Sequence, residues 1–173
     1  MKLVEQAATN TLPKLLARNA AEHPQQPGMR EKDRGIWKTY SWHDCQAHVR
    51  AFALGLAANG FGRGGKLSVL GDNRAPLYWA QLAAQAMGGL AVPLYQDSIA
   101  SELVYVLDHA EVSVVVAEDQ EQVDKVLSVR EQLPKLRLII FENPLGMSSY
   151  RDHPMLRSFP ELEEQGRAFS DAN

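Results

Sequence analysis

The sequence contains little that would support a disulfide-stabilised, secreted or membrane-spanning protein. One cysteine, Cys45, stands among 173 residues, so no internal disulfide can form, and we expect a reducing, cytoplasmic setting. The most apolar stretch, 82–94, is interrupted by Gln85 and Pro93 and is far too short for a bilayer span. The first five residues include an acid and no apolar run, so we expect no signal peptide.

An excess of positive charge is also absent. The chain carries 18 Lys and Arg residues against 21 Asp and Glu residues, a formal net charge of −3, and its cations form no stripe. Proteins that bind nucleic acids need such a stripe to neutralise phosphates, so we expect no nucleic-acid partner. The remaining composition is that of an ordinary globular domain with one core.

Short apolar runs alternate with helical patterns through the middle of the chain. Strands are predicted at 66–70, 90–94, 112–117 and 136–141, with helices near 75–87, 101–110 and 123–127 between them. This rhythm is typical of parallel strands joined by right-handed crossovers. The strands do not alternate between apolar and polar residues, as expected when helices cover both faces of a sheet. The predicted fold class is therefore α/β, with a doubly wound, mainly parallel sheet flanked by helices.

A helix, a short N-terminal β-hairpin and a second helix are predicted before this sheet. Thr11 is a good N-cap for the first helix. The Asp, Arg and Gly at 33–35 are typical of a hairpin turn. Ser41, with Asp44 three residues later, predicts a capping box at the start of the second helix. Cys45 lies on the apolar side of that helix, so we interpret its thiol as buried packing and not as a nucleophile.

The last part of the chain has a different character. Residues 1–141 are predicted to form the α/β unit, and residues 142–173 a polar connecting tail. This tail contains three prolines and one predicted short helix around 160–165. Segments of this kind more often cross to another module than complete a core. We therefore expect the tail to lead toward a catalytic part that this sequence does not contain.

A glycine-rich run at 60–66 matches the pattern G-x-G-x-x-G and nearly matches the phosphate-loop pattern. Both patterns bind phosphate when a strand precedes the loop and a helix follows it, because the helix N-terminus supplies free N–H groups. Here a helix precedes the run and a strand follows, and Leu67 stands where a hydroxyl is needed for magnesium. The run is therefore predicted to be a helix stop and a turn.

Ligands of open α/β sheets bind beyond the carboxyl ends of the strands. The residues that follow the predicted strands include five acids and one arginine, and such a rim repels phosphates. Asp72 and Asp97 are candidate ligands for a cation, but helix caps and solvated loop acids explain them more simply. The five histidines have no metal spacing and are predicted to lie on the surface. No metal site is predicted.

Several segments are similar, in order, to segments of one enzyme family. They are TLPKLL at 11–16, WKTYSW at 37–42, DNRAP at 72–76 and MGGLAVPLY at 87–95. The last resembles the family's Gly-Ala-x-x-Val-Pro-Leu-Tyr strand most clearly. The chain therefore resembles the N-terminal part of the adenylate-forming (AMP-binding) enzymes, and among these the bacterial long-chain fatty-acid CoA ligases.

The resemblance implies a two-step reaction in the full-length protein. ATP and Mg²⁺ convert a fatty acid into an acyl-adenylate, and CoA then displaces AMP. The family's Ser/Thr/Gly-rich loop ending in Pro-Lys-Gly, and its lysine on a mobile C-terminal domain, do not occur in this chain. No catalytic residue is therefore assigned, and the isolated chain is predicted to be inactive, with no cofactor bound. Relatives bring CoA near the loop after the Val-Pro-Leu strand, which makes Tyr95 and Gln96 candidate CoA contacts.

Two other interpretations stay open. The chain could be a stand-alone flavodoxin-like or receiver-like binding module, although the flavin phosphate loop and the receiver lysine are missing. Within the enzyme class it could belong to a short-chain, aryl or amino acid adenylating enzyme, because the acyl pocket lies mostly outside this sequence. A truncated domain exposes apolar surface, so the formation of a homodimer stays a possible outcome. Because the expected partner is a fatty acid, peripheral contact with a membrane is a second possible outcome.

Overall fold

The computed structural model describes residues 10–172. The signal-peptide prediction, which concerned the first five residues, lies outside the described residues. Along the chain the helices and strands are α1 Leu12–Glu22, β1 Pro27–Asp33, β2 Ile36–Ser41, α2 Trp42–Ala58, β3 Lys66–Leu70, α3 Ala75–Ala86, β4 Leu90–Leu94, α4 Ala100–His109, β5 Val114–Ala117, α5 Gln120–Ser128, β6 Leu138–Phe141, β7 Leu156–Ser158 and α6 Phe159–Ala172. Within 10–172, no helix is both long and apolar enough to cross a membrane.

Five parallel strands form the main sheet, in the order β4-β3-β5-β6-β7. The chain runs outward from β3 to β4 through α3, and then crosses back past β3 to β5 through α4. Helices α1, α2, α3 and α6 pack on one face, and α4 and α5 pack on the other. The predicted doubly wound, parallel α/β fold is therefore confirmed, as is the separate antiparallel hairpin of β1 and β2.

Local signals in the sequence set several of these elements. Thr11 caps α1, and at the start of α2 the Ser41 hydroxyl and the Asp44 carboxylate bond to each other's backbone N–H groups at 3.1 and 2.9 Å. The predicted capping box is therefore confirmed. The hairpin turn places both Arg34 and Gly35 at positive φ, 46° and 85°, the conformation that a tight two-residue hairpin turn requires.

Buried strands supply the core on both faces of the sheet. Val114 and Val116 of β5 pack against α2, α3 and α6, whereas Val115 and Ala117 pack toward α4 and α5. All four residues are buried, which is why this strand shows no alternation in sequence. Full burial of each valine contributes roughly 1.5 kcal/mol or more, so the central strand is a major source of stability.

The segment after residue 141 differs from the prediction of a connecting tail. Strand β7 extends the sheet beside β6, and α6 runs for 14 residues where one short helix at 160–165 was expected. Phe159 and Leu162 of α6 are buried, and the Phe159 ring stacks on Phe52 with centroids 4.4 Å apart. These described residues therefore complete the core of the α/β unit. A functional boundary near residue 141 stays a prediction.

Helices α2 and α6 touch backbone to backbone at two glycines. A Cβ atom on Gly55 would lie 2.1 Å from the carbonyl oxygen of Leu162, and one on Gly166 would lie 1.9 Å from the carbonyl oxygen of Ala51. No side chain fits at such distances, so both positions require glycine. Gly166 reads as a helix breaker in sequence, at a cost of about 1 kcal/mol relative to alanine, and this explains why the length of α6 was underestimated.

A polar contact accompanies the glycine crossing. Nδ1 of His48 lies 2.6 Å from Oε1 of Glu163, and the two side chains are 35% and 8% exposed. The imidazole stacks flat on Trp79, with ring centroids 3.9 Å apart. His48 is thus only partly exposed, and the prediction of surface histidines did not include its contact with Glu163, because that contact depends on the fold bringing α6 beside α2.

We expect Gly55→Ala and Gly166→Ala each to lower the free energy of unfolding by about 2 kcal/mol or more, because the added methyl group forces the two helix backbones apart. Urea unfolding followed by circular dichroism measures this. Gly62→Ala is the matched control, since a Cβ there meets no atom within 4 Å and the change should stay within about 0.5 kcal/mol. Wild-type stability of Gly166→Ala would contradict the described docking of α6.

Candidate functional site

The carboxyl ends of the five strands meet at one edge of the sheet. Because the chain goes outward from β3 to β4 and then crosses to β5, the switch point lies between β3 and β5. Open α/β sheets bind their ligands beside such a point, where two neighbouring loops diverge. The segments that start at this edge, at or next to the switch point, are 71–74 after β3, 95–98 after β4 and Glu118 after β5.

Glu118 closes the crevice at the switch point. Its carboxylate accepts the backbone N–H of Asp72 at 2.6 Å and Nε of Arg74 at 3.0 Å, and its side chain is only 13% exposed. Gly71 allows this close approach, since a Cβ there would lie 2.4 Å from Cβ of Glu118. The hydrogen bond that Arg74 donates to Glu118 raises the pKa of Arg74. A phosphate placed in this crevice would meet a carboxylate, and Arg74 is already paired with that carboxylate.

A second carboxylate reaches this edge from the hairpin. Glu31 accepts the hydroxyl of Tyr40 at 3.0 Å and the backbone N–H of Ala75, the first residue of α3, at 3.1 Å. Burial, reinforced by the bond to Glu31, raises the pKa of Tyr40 to about 12. Sequence reasoning missed Glu31. Its position two residues from Met29, which packs on the core, was the available signal, since both lie on one face of β1.

Glu142 is the third acid of the group. It follows β6 and is partly buried, and burial together with the charges of Glu31 and Glu118 raises its pKa. Arg74 and Lys38 act in the opposite direction with a smaller effect. The structure therefore places three carboxylates, from three different segments, around one arginine. This arrangement disfavours binding of an anion at the centre of the edge.

One open pocket of this edge lies to one side, between the ends of β3 and β4. Its volume is about 380 Å³, which is at the small end of the range for ligand sites. The lining residues are Val69, Gly71, Asp72, Asn73, Leu77, Tyr78, Gln81, Pro93, Leu94, Tyr95, Gln96 and Asp97. Both predicted CoA contacts, Tyr95 and Gln96, lie in this wall. Tyr95 is 86% exposed, so its ring stands at the rim.

A lysine on α5 is brought to the same loop. Nζ of Lys125 donates to the carbonyl oxygen of Gln96 at 2.6 Å and to Oε1 of Gln122 at 3.3 Å, and it pairs with Glu121 at 3.0 Å. This contact joins residues 29 positions apart and fixes the loop after β4 to the helix after β5. Sequence reasoning missed Lys125, because the spacing of Glu121 and Lys125 indicated only an ordinary ion pair on a helix.

Of the two acids considered as cation ligands, Asp72 and Asp97, the first has a structural partner, as does the neighbouring rim acid Asp119. Asp72 accepts the backbone N–H of Asn73 at 3.0 Å, and Asp119 caps α5 by accepting the N–H of Gln122 at 3.2 Å. Asp97 lies in the pocket wall. Over the described range 10–172, no three His, Cys, Asp or Glu side chains cluster in a way that would hold a metal ion.

The glycine-rich run and Cys45, both interpreted from the sequence as structural, also have no arrangement suited to catalysis or phosphate binding in the fold of residues 10–172. The glycine run at 60–66 joins the end of α2 to β3, with Gly60 and Gly64 at positive φ, and its Lys66 pairs with Glu111 at 3.1 Å. The order of helix, loop and strand is the reverse of what phosphate binding needs. Cys45 is fully buried, and burial raises the pKa of its thiol, which disfavours the reactive thiolate.

Comparison with known proteins decides the family. The sequence profile of the AMP-binding enzyme family matches residues 16–160 of this chain. The chain belongs to this family. It is 27% identical over 167 residues to the long-chain-fatty-acid–CoA ligase ACSBG2 of Xenopus laevis, which covers 94% of this chain and 22% of the ligase. The protein Rv1549 of Mycobacterium tuberculosis is 38% identical over 89 residues, which are 51% of this chain and 50% of that protein.

The fold of this AMP-binding family member recurs in solved structures. The acetoacetyl-CoA synthetase from Streptomyces lividans superimposes with a TM-score of 0.78 at 22% identity, over 87% of this chain and 24% of that one. Likeness at this level of identity shows the shared fold. The chain thus spans about a fifth of the ligase from Xenopus and about a quarter of the solved synthetase.

The raised pKa of Glu142 predicts a specific dependence of stability on pH. Because the folded protein holds the Glu142 proton at a higher pH than the unfolded chain, this group makes the protein less stable as pH rises above the ordinary glutamate range. We expect Glu142→Gln to raise the midpoint of thermal unfolding at pH 7, and the gain to vanish below pH about 4. Thermal scans from acid to neutral pH measure it.

Glu164→Gln is the control for this experiment, because Glu164 is exposed on α6 and removing its charge tests only the change in net charge. A Glu142→Gln variant that is less stable than wild type at pH 7 would contradict the electrostatic description of the edge.

Proposed function

We propose that this chain is the N-terminal part of an ATP-dependent long-chain fatty acid–CoA ligase. The observation that carries the proposal is the extent of the match: 94% of this chain aligns with 22% of such a ligase. The same name applies to the human relative, which aligns with 93% of this chain and 24% of its own length. Membership of the AMP-binding family supports ATP use in the complete protein.

In the proposed reaction, a fatty acid carboxylate oxygen attacks the α-phosphorus of ATP and pyrophosphate leaves. The CoA thiol then attacks the carbonyl carbon of the acyl-adenylate and AMP leaves. Mg²⁺ would neutralise the phosphates in the first step. The three carboxylates at the carboxyl edge, Glu31, Glu118 and Glu142, make this chain a poor phosphate site. The groups that stabilise the phosphates are therefore proposed to lie outside it, and the isolated chain to be inactive.

The pocket beside β4 is the part of this chain that we propose to meet CoA. The exposed ring of Tyr95 offers a flat apolar surface for the adenine or the pantetheine arm. Lys125, whose ammonium lies against the Gln96 carbonyl and also pairs with Glu121, is the cation that we propose to contact the CoA phosphates. Its position beside the loop and away from the three carboxylates supports this role.

The coding sequence beyond residue 173 gives the first test. We expect a Ser/Thr/Gly-rich loop ending in Pro-Lys-Gly within a few dozen codons, and fatty-acid-dependent release of AMP and pyrophosphate by the complete protein. A stop codon directly after residue 173 would overturn the proposal for this chain. The isolated residues 1–173 serve as the control and should release no AMP.

A panel of acids then defines the substrate within the family. Long-chain fatty acids should give a higher kcat/KM than acetate, benzoate or amino acids in the same assay. A preference for a short-chain, aryl or amino acid would replace the long-chain proposal while keeping the adenylate-forming one. The flavodoxin-like or receiver-like alternative is not favoured, because the family match spans residues 16–160.

In the complete enzyme we expect Lys125→Ala to raise the KM for CoA about tenfold, because one charge-assisted contact to a phosphate is lost. The KM values for ATP and fatty acid should stay unchanged. Lys135→Ala is the matched control, since Lys135 is equally positive, exposed and placed before β6, at the amino edge of the sheet. An unchanged KM for CoA would remove Lys125 from the proposed CoA contact without affecting the ligase proposal.

A further inference from the structure

The tip of the β1–β2 hairpin exposes two large apolar side chains. Ile36 is 71% exposed and Trp37 is 63% exposed, and they are adjacent in sequence directly after the turn. Single exposed apolar residues are common, but an exposed Ile-Trp pair at the end of a projecting ribbon is a concentrated apolar surface.

The base of the hairpin, in contrast, is held firmly by the domain. Met29 and Tyr40 pack against the core, and Glu31 links the hairpin to the first residue of α3. The base of the hairpin is therefore packed on the domain, whereas Ile36 and Trp37 at its tip are exposed. We use the name hairpin tip for residues 32–38.

The two apolar side chains point to opposite faces of the ribbon. Trp37 pairs with Lys32 across the strands and Ile36 pairs with Asp33, and successive residues of a strand alternate between faces. A flat protein surface would cover one face of the tip and leave the other side chain in water. A fluid layer that the tip enters end-on would cover both.

Positive charge surrounds this apolar pair. The hairpin carries Arg30, Lys32, Arg34 and Lys38 against two acids, in a chain whose formal net charge is −3. One acid, Asp33, is paired with Lys38 at 2.8 Å, and the other, Glu31, is bonded to Tyr40 and the start of α3. Arg30, Lys32 and Arg34 make no ion pair within the described residues. Nζ of Lys32 lies 6.0 Å from the centroid of the Trp37 ring. The hairpin tip is therefore locally cationic on an acidic protein.

We propose that the hairpin tip docks on an anionic lipid bilayer. Ile36 and Trp37 enter the interfacial region, where an indole ring is favoured because it is apolar with one polar edge. The cations at 32 and 34 contact the anionic headgroups, and their long apolar stems extend along the inserted pair. This inference rests on the hairpin alone and does not depend on the proposed function.

Sedimentation with lipid vesicles tests the proposal on the 173-residue chain. Vesicles of equal parts phosphatidylcholine and phosphatidylglycerol should bind the protein, and vesicles of phosphatidylcholine alone should bind it much more weakly. Raising the salt concentration should release it, because the headgroup contacts are screened. Equal binding to both vesicle types, or binding to neither, would overturn the proposal.

Two substitutions locate the contact. Trp37→Ala should lower the partition coefficient for anionic vesicles about tenfold or more, since it removes the largest inserted side chain. Tyr105→Ala is the matched control, because Tyr105 is an aromatic residue on α4 with a similar exposure of 69%. Both side chains are exposed, so thermal unfolding should show that both variants fold. Wild-type partitioning of Trp37→Ala would overturn the proposal.

Charge reversal tests the headgroup contacts of the tip, and fluorescence tests the insertion of Trp37. Arg34→Glu should weaken vesicle binding, and wild-type binding by this variant would exclude headgroup contacts by the tip. Brominated lipids should quench the tryptophan emission of the wild type but not that of Trp37→Phe, which keeps an aromatic ring at the tip. If gel filtration instead shows a dimer that Trp37→Ala converts to a monomer, the tip contacts a second copy of the protein and the membrane proposal fails.

Discussion

The contact between α2 and α6 at Gly55 and Gly166 closes one face of the sheet. Because the two backbones touch there, Phe159 and Leu162 reach the core and complete the layer formed by α2 and α3. The same approach brings Glu163 against His48, whose ring lies on Trp79. The packing of α6 on the core and the His48–Glu163 contact both depend on the absence of side chains at these two glycines.

The carboxyl edge of the sheet has two electrostatically different halves. Around the switch point Glu118, Glu142 and Glu31 surround Arg74, so the central crevice is filled and acidic. Beside β4 the loop with Tyr95 is open and lies next to Lys125. In this domain the switch point is therefore a structural junction in which carboxylates anchor the loops, and the open space lies in the flanking pocket.

The hairpin connects this edge to the outer surface of the molecule. Glu31 bonds the base of the hairpin to the N-terminus of α3. One element thus supplies a carboxylate to the acidic edge at its base and an exposed, cationic and apolar surface at its tip. The two roles are compatible because a β-ribbon places inward-facing and exposed residues at different points along its length.

The sequence by itself determined the fold class, the hairpin turn at 33–35 and the capping box at Ser41, because each depends on periodicity or on residues three or four positions apart. The resemblance of several segments, in the same order along the chain, indicated the family, with 87–95 the clearest of them. Tertiary structure alone decided that the segment after 141 completes the core and that Lys125 joins the loop after β4. These outcomes depend on contacts between distant segments, and a local sequence pattern carries no information about which distant backbone it will touch.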